Sequence, residues 1–270
     1  MLESINETAA FLEQRMPFKP QVAIVLGSGL GNLAKDIHVQ WSIPYEEIPH
    51  FPVSTVEGHQ GRLLVGTMGG KEILAMQGRF HYYEGYSMQQ VTFPVRVMKA
   101  LGIQSLFLSN AAGGMHPDFR IGDLMMITDH INHFPEHPLR GKNYDALGPR
   151  FPDMKEAYSL RLRKLALDIA AEQGLNLRQG VYLGTSGPTY ETPAEYAYFK
   201  SIGGHAVGMS TVPEVIVAKH SGMEVFALSV ITDIGLEGQI VEVSHEDVQR
   251  AALEAEPKMT ALFRELIKRS

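Results

Sequence analysis

The sequence predicts an α/β protein: one mixed, twisted β-sheet surrounded by helices, built as a single domain over residues 1–270. Three observations lead there. Short apolar runs alternate with amphipathic segments along the chain, the pattern of strand–helix–strand units. "RLLVGTMGGKEILAMQG", residues 62–78, is two apolar runs joined by Gly69-Gly70, a hairpin signal that forces an antiparallel pair into the sheet. No stretch is rich enough in Gly, Pro or Ser to act as a linker, and no repeat or low-complexity tract divides the chain.

Taken in order, residues 3–15 read as a short amphipathic helix and "QVAIVLG" as a buried strand. The hairpin follows. "SMQQVTFPVRVMKALGI" reads as one helix, capped by Ser87 with Gln90 completing a capping box. "QSLFLSNAAGG" and "GDLMMITDHIN" are strands, and "NHFPEHPLRGKNYDALGPRFPDM", residues 132–154, is a long Pro-rich loop suited to a functional or inter-subunit arm. A helix is expected over 156–173, strands at "RQGVYLGTSG" and "MEVFALSVITD", and a last helix over 245–268. Two further helix starts are marked by Thr192, Pro193 and Glu195, and by Thr211, Pro213 and Glu214.

Composition narrows the function. The chain has 270 residues, 44% of them hydrophobic, enough for a sizeable core. Its net charge of -6 is unclustered, so there is no basic patch to neutralise a nucleic-acid polymer. With no cysteine there is no disulfide, thiolate metal site or cysteine nucleophile. The first residues carry charges where a signal peptide needs an apolar core, and no run reaches membrane-span length, so a cytoplasmic protein without a membrane partner is expected.

The stretch "AIVLGSGLGNLA", residues 23–34, is a strand, a glycine turn and an apolar segment. It lacks the third glycine of G-x-G-x-x-G, because Asn32 stands there, and Ser28 is one place too early for G-x-S-x-G. Backbone amides in such a turn, with the Ser28 hydroxyl, suit an anion. Other strand ends carry matching groups. Arg79 and His81 lie two apart in "GRFH", so an extended backbone points both to one side. Ala111 falls in a small-residue turn with available amides, and Ser210 precedes a helix N-terminus that favours negative charge. Singly, Arg79 reads equally as a surface ion pair, His81 as a core histidine and Ser210 as a plain cap; together, they gather at strand-to-helix junctions. A second set suits a planar heterocycle. Tyr190 covers a ring face, Glu191 accepts from ring N–H groups, Asp233 ends a strand, and Tyr83 and His245 are placed for a sugar. His130, His133 and His137 match no zinc-helix spacing, and the prolines among them prevent a regular helix, so no metal is expected.

"GSGLG", "GHQGRLLVG", "GRFHYYEGY", "SNAAGGM", "GPTYETPAE", "AVGMSTVPE" and "SHEDV" together resemble the trimeric purine nucleoside phosphorylases, in order from about residue 20 to 250. The resemblance implies the nucleoside phosphorylase fold, with a partly barrel-like sheet, in a homotrimer. It implies phosphorolysis: inorganic phosphate, a co-substrate, displaces the base of a purine nucleoside and yields ribose 1-phosphate, with no metal or organic cofactor. Carried over, the phosphate site is Ser28, His59, Arg79, His81, the Ala111 amide and Ser210. The sugar site is Tyr83, Met209 and His245, and the base site is Tyr190, Glu191, Val207 and Asp233, with His81, Glu191, Asp233 and His245 nearest the chemistry. Phe151 matches the aromatic lent to a neighbouring subunit. Asp233 departs from the pattern, since 6-oxopurine-selective members carry asparagine there. An ionised Asp233 only accepts, which suits a 6-amino group; a protonated one donates and serves as a general acid. Inosine and guanosine with some adenosine use is therefore expected. The alternatives are a methylthioadenosine- or adenosine-type phosphorylase and a non-catalytic nucleoside-binding protein.

Overall fold

A computed structural model describes residues 1–56 and 60–270. Its strands are β1 (Val22–Leu26), β2 (His38–Pro44), β3 (Arg62–Met68), β4 (Lys71–Gln77), β5 (Ser105–Gly114), β6 (Leu124–Asn132), β7 (Arg178–Gly184), β8 (Ala206–Gly208) and β9 (Glu224–Ile234). They form one mixed sheet in the order β2-β3-β4-β1-β5-β8-β7-β6-β9. An additional β5–β9 pairing closes β5, β8, β7, β6 and β9 into a ring, the barrel-like part, while β1, β4, β3 and β2 extend from it as an open wing. The helices are α1 (Leu2–Glu13), α2 (Met88–Val91), α3 (Phe93–Ala100), α4 (Leu160–Glu172), α5 (Pro193–Ser201), α6 (Val212–His220) and α7 (His245–Arg269). Among the described residues no helix is long and apolar enough to cross a membrane.

β1 is buried at every position because both faces of the sheet are covered. Ala23 and Val25 join an apolar cluster with Leu74, Met76, Leu106 and Leu108, while Ile24 and Leu26 join one with Phe107, Leu262 and Phe263. Each of these side chains larger than alanine contributes about 1.5–3 kcal/mol on burial. α7 supplies much of the second cluster, burying Ala252, Ala255, Met259, Leu262, Phe263 and Leu266 along one stripe.

The expected hairpin forms as β3–β4, antiparallel from Arg62↔Gln77 to Met68↔Lys71, and the Ser87–Gln90 capping box is present. Three expectations need correction, and two strands were not expected. The helix expected from Ser87 breaks at Thr92 into α2 and α3, because Pro94 cannot donate and the Thr92 hydroxyl bonds back to the Met88 carbonyl at 2.7 Å. The helix expected from residue 156 starts at Leu160, where the Ser159 side chain caps it. Ala111 lies inside β5, opposite Val230 of β9, and not in a turn. Two strands went unrecognised: β2, an edge strand with half-exposed residues and a register shift between Val39 and Trp41, and the very short β8.

β1 runs parallel to β4 and β5, and β5 parallel to β9. Their carboxyl ends therefore share one edge of the sheet, where ligands of open α/β sheets bind. Ser28, Arg79, His81, the end of β5 and Asp233 all arrive there.

Candidate active site

At that edge lies a cavity of about 490 Å³. Every described member of the expected phosphate, sugar and base sites lines it: Ser28, Arg79, His81, Tyr83, Ala111, Tyr190, Glu191, Val207, Met209, Ser210, Asp233 and His245. His59 lies outside the described residues. Phe151 does not line the cavity and is 88% exposed within its loop.

One end is built around Arg79, which is 1% exposed. Its Nε and Nη2 donate to the two carboxylate oxygens of Glu214 at 3.2 and 3.0 Å, and Nη1 donates to the Ser109 carbonyl at 2.6 Å. This forked, fully buried geometry fixes the guanidinium plane. The Gly-rich turn after β1 packs directly on it: a Cβ on Gly27 would come within 2.6 Å of the Ser109 oxygen and 3.0 Å of Arg79 Nη1. α7 clamps the far side of the turn, where Glu256 accepts from the Leu33 amide at 2.6 Å and Gly29, at φ +74°, sits against Ala252.

Glu214 has a second partner, the Thr211 amide at 3.1 Å, within the expected capping box of α6. Thr211 holds φ +66°, an uncommon conformation for a β-branched residue, and is completely buried. The Asn110 amide donates to its hydroxyl at 2.8 Å. This strained residue turns the chain so that Ser210 stands at the N-terminus of α6, with its amide 3.4 Å from the Tyr182 hydroxyl. A Cβ on Gly208 would come within 2.3 Å of that hydroxyl.

His81 stacks on Tyr83 with ring centroids 4.7 Å apart, and its Nδ1 lies 3.0 Å from Glu84 Oε1. Burial pushes the His81 pKa below its ordinary value, so the neutral ring prevails at pH 7. Burial would raise the Glu84 carboxyl, but hydrogen bonds from His81 and Thr55 outweigh it and bring the pKa to about 2. The ionised carboxylate accepts, which places the ring proton on Nδ1.

The other end is acidic and aromatic. Asp233 sits just beyond a bulge: Ala112 pairs with Ile231 and Gly113 with Asp233, leaving Thr232 unpaired. The bulge re-aims Asp233 into the cavity. Its Oδ2 accepts from the Tyr196 hydroxyl at 2.7 Å and its Oδ1 from Thr232 at 3.1 Å. Glu191 lies nearby; burial first, then the charge of Asp233, raises its pKa to about 7. His245 opens α7, where the Gln249 amide nitrogen lies 2.9 Å from Nε2, so that nitrogen accepts and the proton sits on Nδ1.

The cavity thus joins an end rich in hydrogen-bond donors to a carboxylate pair. Sequence reasoning missed Glu84 and Tyr196, and read Glu214 only as a helix cap. A carboxylate three residues after His81 was the available signal for Glu84; nothing local announces the others. Among the expected histidines, His130 bonds to Tyr158 at 3.0 Å, and no group of three His, Asp or Glu among the described residues converges as a metal site.

Residues 21–268 match the phosphorylase superfamily. Purine nucleoside phosphorylase 1 of Geobacillus stearothermophilus is 53% identical, with 98% of this chain and 95% of that protein covered. The Schistosoma mansoni purine nucleoside phosphorylase is 39% identical in its inosine complex, with a TM-score of 0.94 over 100% of this chain and 97% of that one. Its adenosine complex gives 40% identity and a TM-score of 0.93 over 99% and 97%. The chain belongs to the phosphorylase superfamily, among its purine nucleoside phosphorylases.

Proposed function

We propose that this chain cleaves purine nucleosides by phosphorolysis, releasing the free base and ribose 1-phosphate. The observation that carries this reading is the single cavity with Arg79 and the α6 N-terminus at one end and Glu191 with Asp233 at the other. Inorganic phosphate takes the first end, held by Ser28, Arg79, His81, the Ala111 amide and Ser210, with His59 as a further ligand. Tyr83, Met209 and His245 hold the sugar; Tyr190, Glu191, Val207 and Asp233 hold the base. As the bond to the purine stretches, positive charge grows on the sugar and negative charge on the base. Phosphate beneath the ring stabilises the first. No covalent nucleophile, metal or organic cofactor is needed. The test is release of hypoxanthine from inosine, followed spectrophotometrically with and without phosphate. Release that is independent of phosphate, or none with it, overturns the reading.

The carboxylate of Asp233 favours a widened specificity in which inosine and guanosine are used and adenosine is also cleaved. The adenosine- and inosine-bound Schistosoma mansoni structures make both substrate types reasonable for this architecture. A methylthioadenosine-type preference and mere nucleoside binding are the readings that the substrate assay separates from it.

Glu191 gives a pH dependence. Its pKa, raised to about 7 by burial, leaves the accepting carboxylate increasingly protonated as pH falls below that value. The kcat/KM for inosine is expected to fall as pH drops through about 7, and Glu191→Gln is expected to lose both rate and this acid limb. A Gln variant with an unchanged acid limb would assign the titration to another group.

We further propose a cytoplasmic homotrimer whose sites are completed between subunits. Phe151, 88% exposed on the Pro-rich loop, is the residue placed to reach a neighbour. Phe151→Ala is expected to raise the nucleoside KM about tenfold with little change in Tm, since an exposed side chain contributes little to the fold of its own chain. Light scattering that finds a fully active monomer contradicts the composite site.

A further inference from the structure

Tyr196 lies behind the base end of the cavity and does not line it. It is buried on the first turn of α5, which starts from a complete Thr192–Glu195 capping box and is therefore firmly placed. Its phenol donates to Asp233 Oδ2 at 2.7 Å, while Thr232 donates to Oδ1. Glu191 is the other carboxylate near this hydroxyl. Two glycines are shaped around it. A Cβ on Gly235 would come within 2.1 Å of the Tyr196 ring, and one on Gly113 within 2.9 Å of both the Tyr196 hydroxyl and Asp233 Oδ2.

We infer that Tyr196 is a positioning residue that sets the choice of purine, by holding Asp233 as a hydrogen-bond acceptor toward the ring. This rests on the reading that Asp233 meets the base. A carboxylate oxygen has two lone pairs. With one on each oxygen engaged by Tyr196 and Thr232, the carboxyl is fixed in place and its remaining pairs are aimed. Such a group receives an exocyclic amino group and repels a carbonyl oxygen. A base with a 6-amino group therefore gains from the arrangement, and a 6-oxo base tolerates it through Glu191. The other titratable groups facing Asp233 are Glu191 and Tyr190, and neither supplies a cation that would replace the phenol's role.

The experiment measures kcat/KM for adenosine and inosine, and the phosphate KM, in the parent enzyme, Tyr196→Phe, Asp233→Asn and the double variant. Tyr196→Phe is expected to lower the adenosine-to-inosine ratio about tenfold, the effect of one hydrogen bond to a charged group. The phosphate KM stays unchanged, which a general loosening of the site would not produce. Asp233→Asn is expected to move the ratio the same way, and adding Tyr196→Phe to it should change the ratio little further. Gly235→Ala, which displaces the ring and keeps the phenol, should reproduce the shift and serves if the Phe variant does not fold. If Asp233→Asn moves the ratio and neither Tyr196→Phe nor Gly235→Ala does, the role of Tyr196 is wrong and the base-site reading stands. If none moves it, or the parent does not cleave adenosine, both fall.

Discussion

Arg79→Ala is expected to raise the phosphate KM by roughly ten- to hundred-fold, the loss of charge-assisted hydrogen bonds of about 1.5–3 kcal/mol. It is also expected to lower stability, for a separate reason. Glu214 receives two hydrogen bonds from the guanidinium in a fully buried pair. Removing the arginine strands a buried carboxylate, which costs about 3–5 kcal/mol. The two effects separate in a double variant. Arg79→Ala with Glu214→Gln removes the stranded charge and should recover most of the Tm while leaving phosphate affinity poor. Phosphate titrations and thermal melts on the three proteins decide the matter. An unchanged phosphate KM in Arg79→Ala would take this residue out of the anion site.

Gly27→Ala is expected to cripple the same end of the cavity without removing any functional group. The added methyl would lie within 2.6 Å of the Ser109 carbonyl oxygen and 3.0 Å of both Arg79 Nη1 and the Asn110 Cα. Two of those atoms are backbone in the central strand β5 and cannot give way cheaply. Overpacking of this kind costs about 1–3 kcal/mol, and relief by shifting the turn moves Ser28 away from Arg79. The phosphate KM should rise together with a lower Tm. Gly70→Ala is the matched control: no atom lies within 4 Å of its Cβ and only the φ of +81° opposes it. It should cost a little stability and leave the phosphate KM alone. If Gly27→Ala behaves like Gly70→Ala, the close approach is not functional.

What was legible in the sequence follows from how local its causes were. The hairpin at Gly69-Gly70, the capping boxes at Ser87, Thr192 and Thr211, and the buried run of β1 are each written in a few adjacent residues, and each appears as expected. Strand ends collect glycine, serine and charged residues, so the cavity lining could be read at Ser28, Arg79, His81, Tyr190, Glu191, Asp233 and His245. β2 escaped because an edge strand needs no apolar alternation, and β8 because three residues carry no period. The break at Thr92 was written in "TFP" but outweighed by the helical pattern around it.

The sequence by itself determined the α/β class, the alternation of elements and the residue types offered at the sheet's carboxyl edge. Only the tertiary structure decided how those residues are held. Arg79 and Glu214 are 135 positions apart, and Tyr196 and Asp233 are 37 apart. Such pairs depend on the closure of β5 onto β9, on the bulge at Thr232 and on glycines that admit a neighbour's side chain. A hydrogen bond is specified by distances of tenths of an ångström, whereas a sequence pattern specifies only which face of an element looks inward. The packing of distant segments converts the second kind of information into the first.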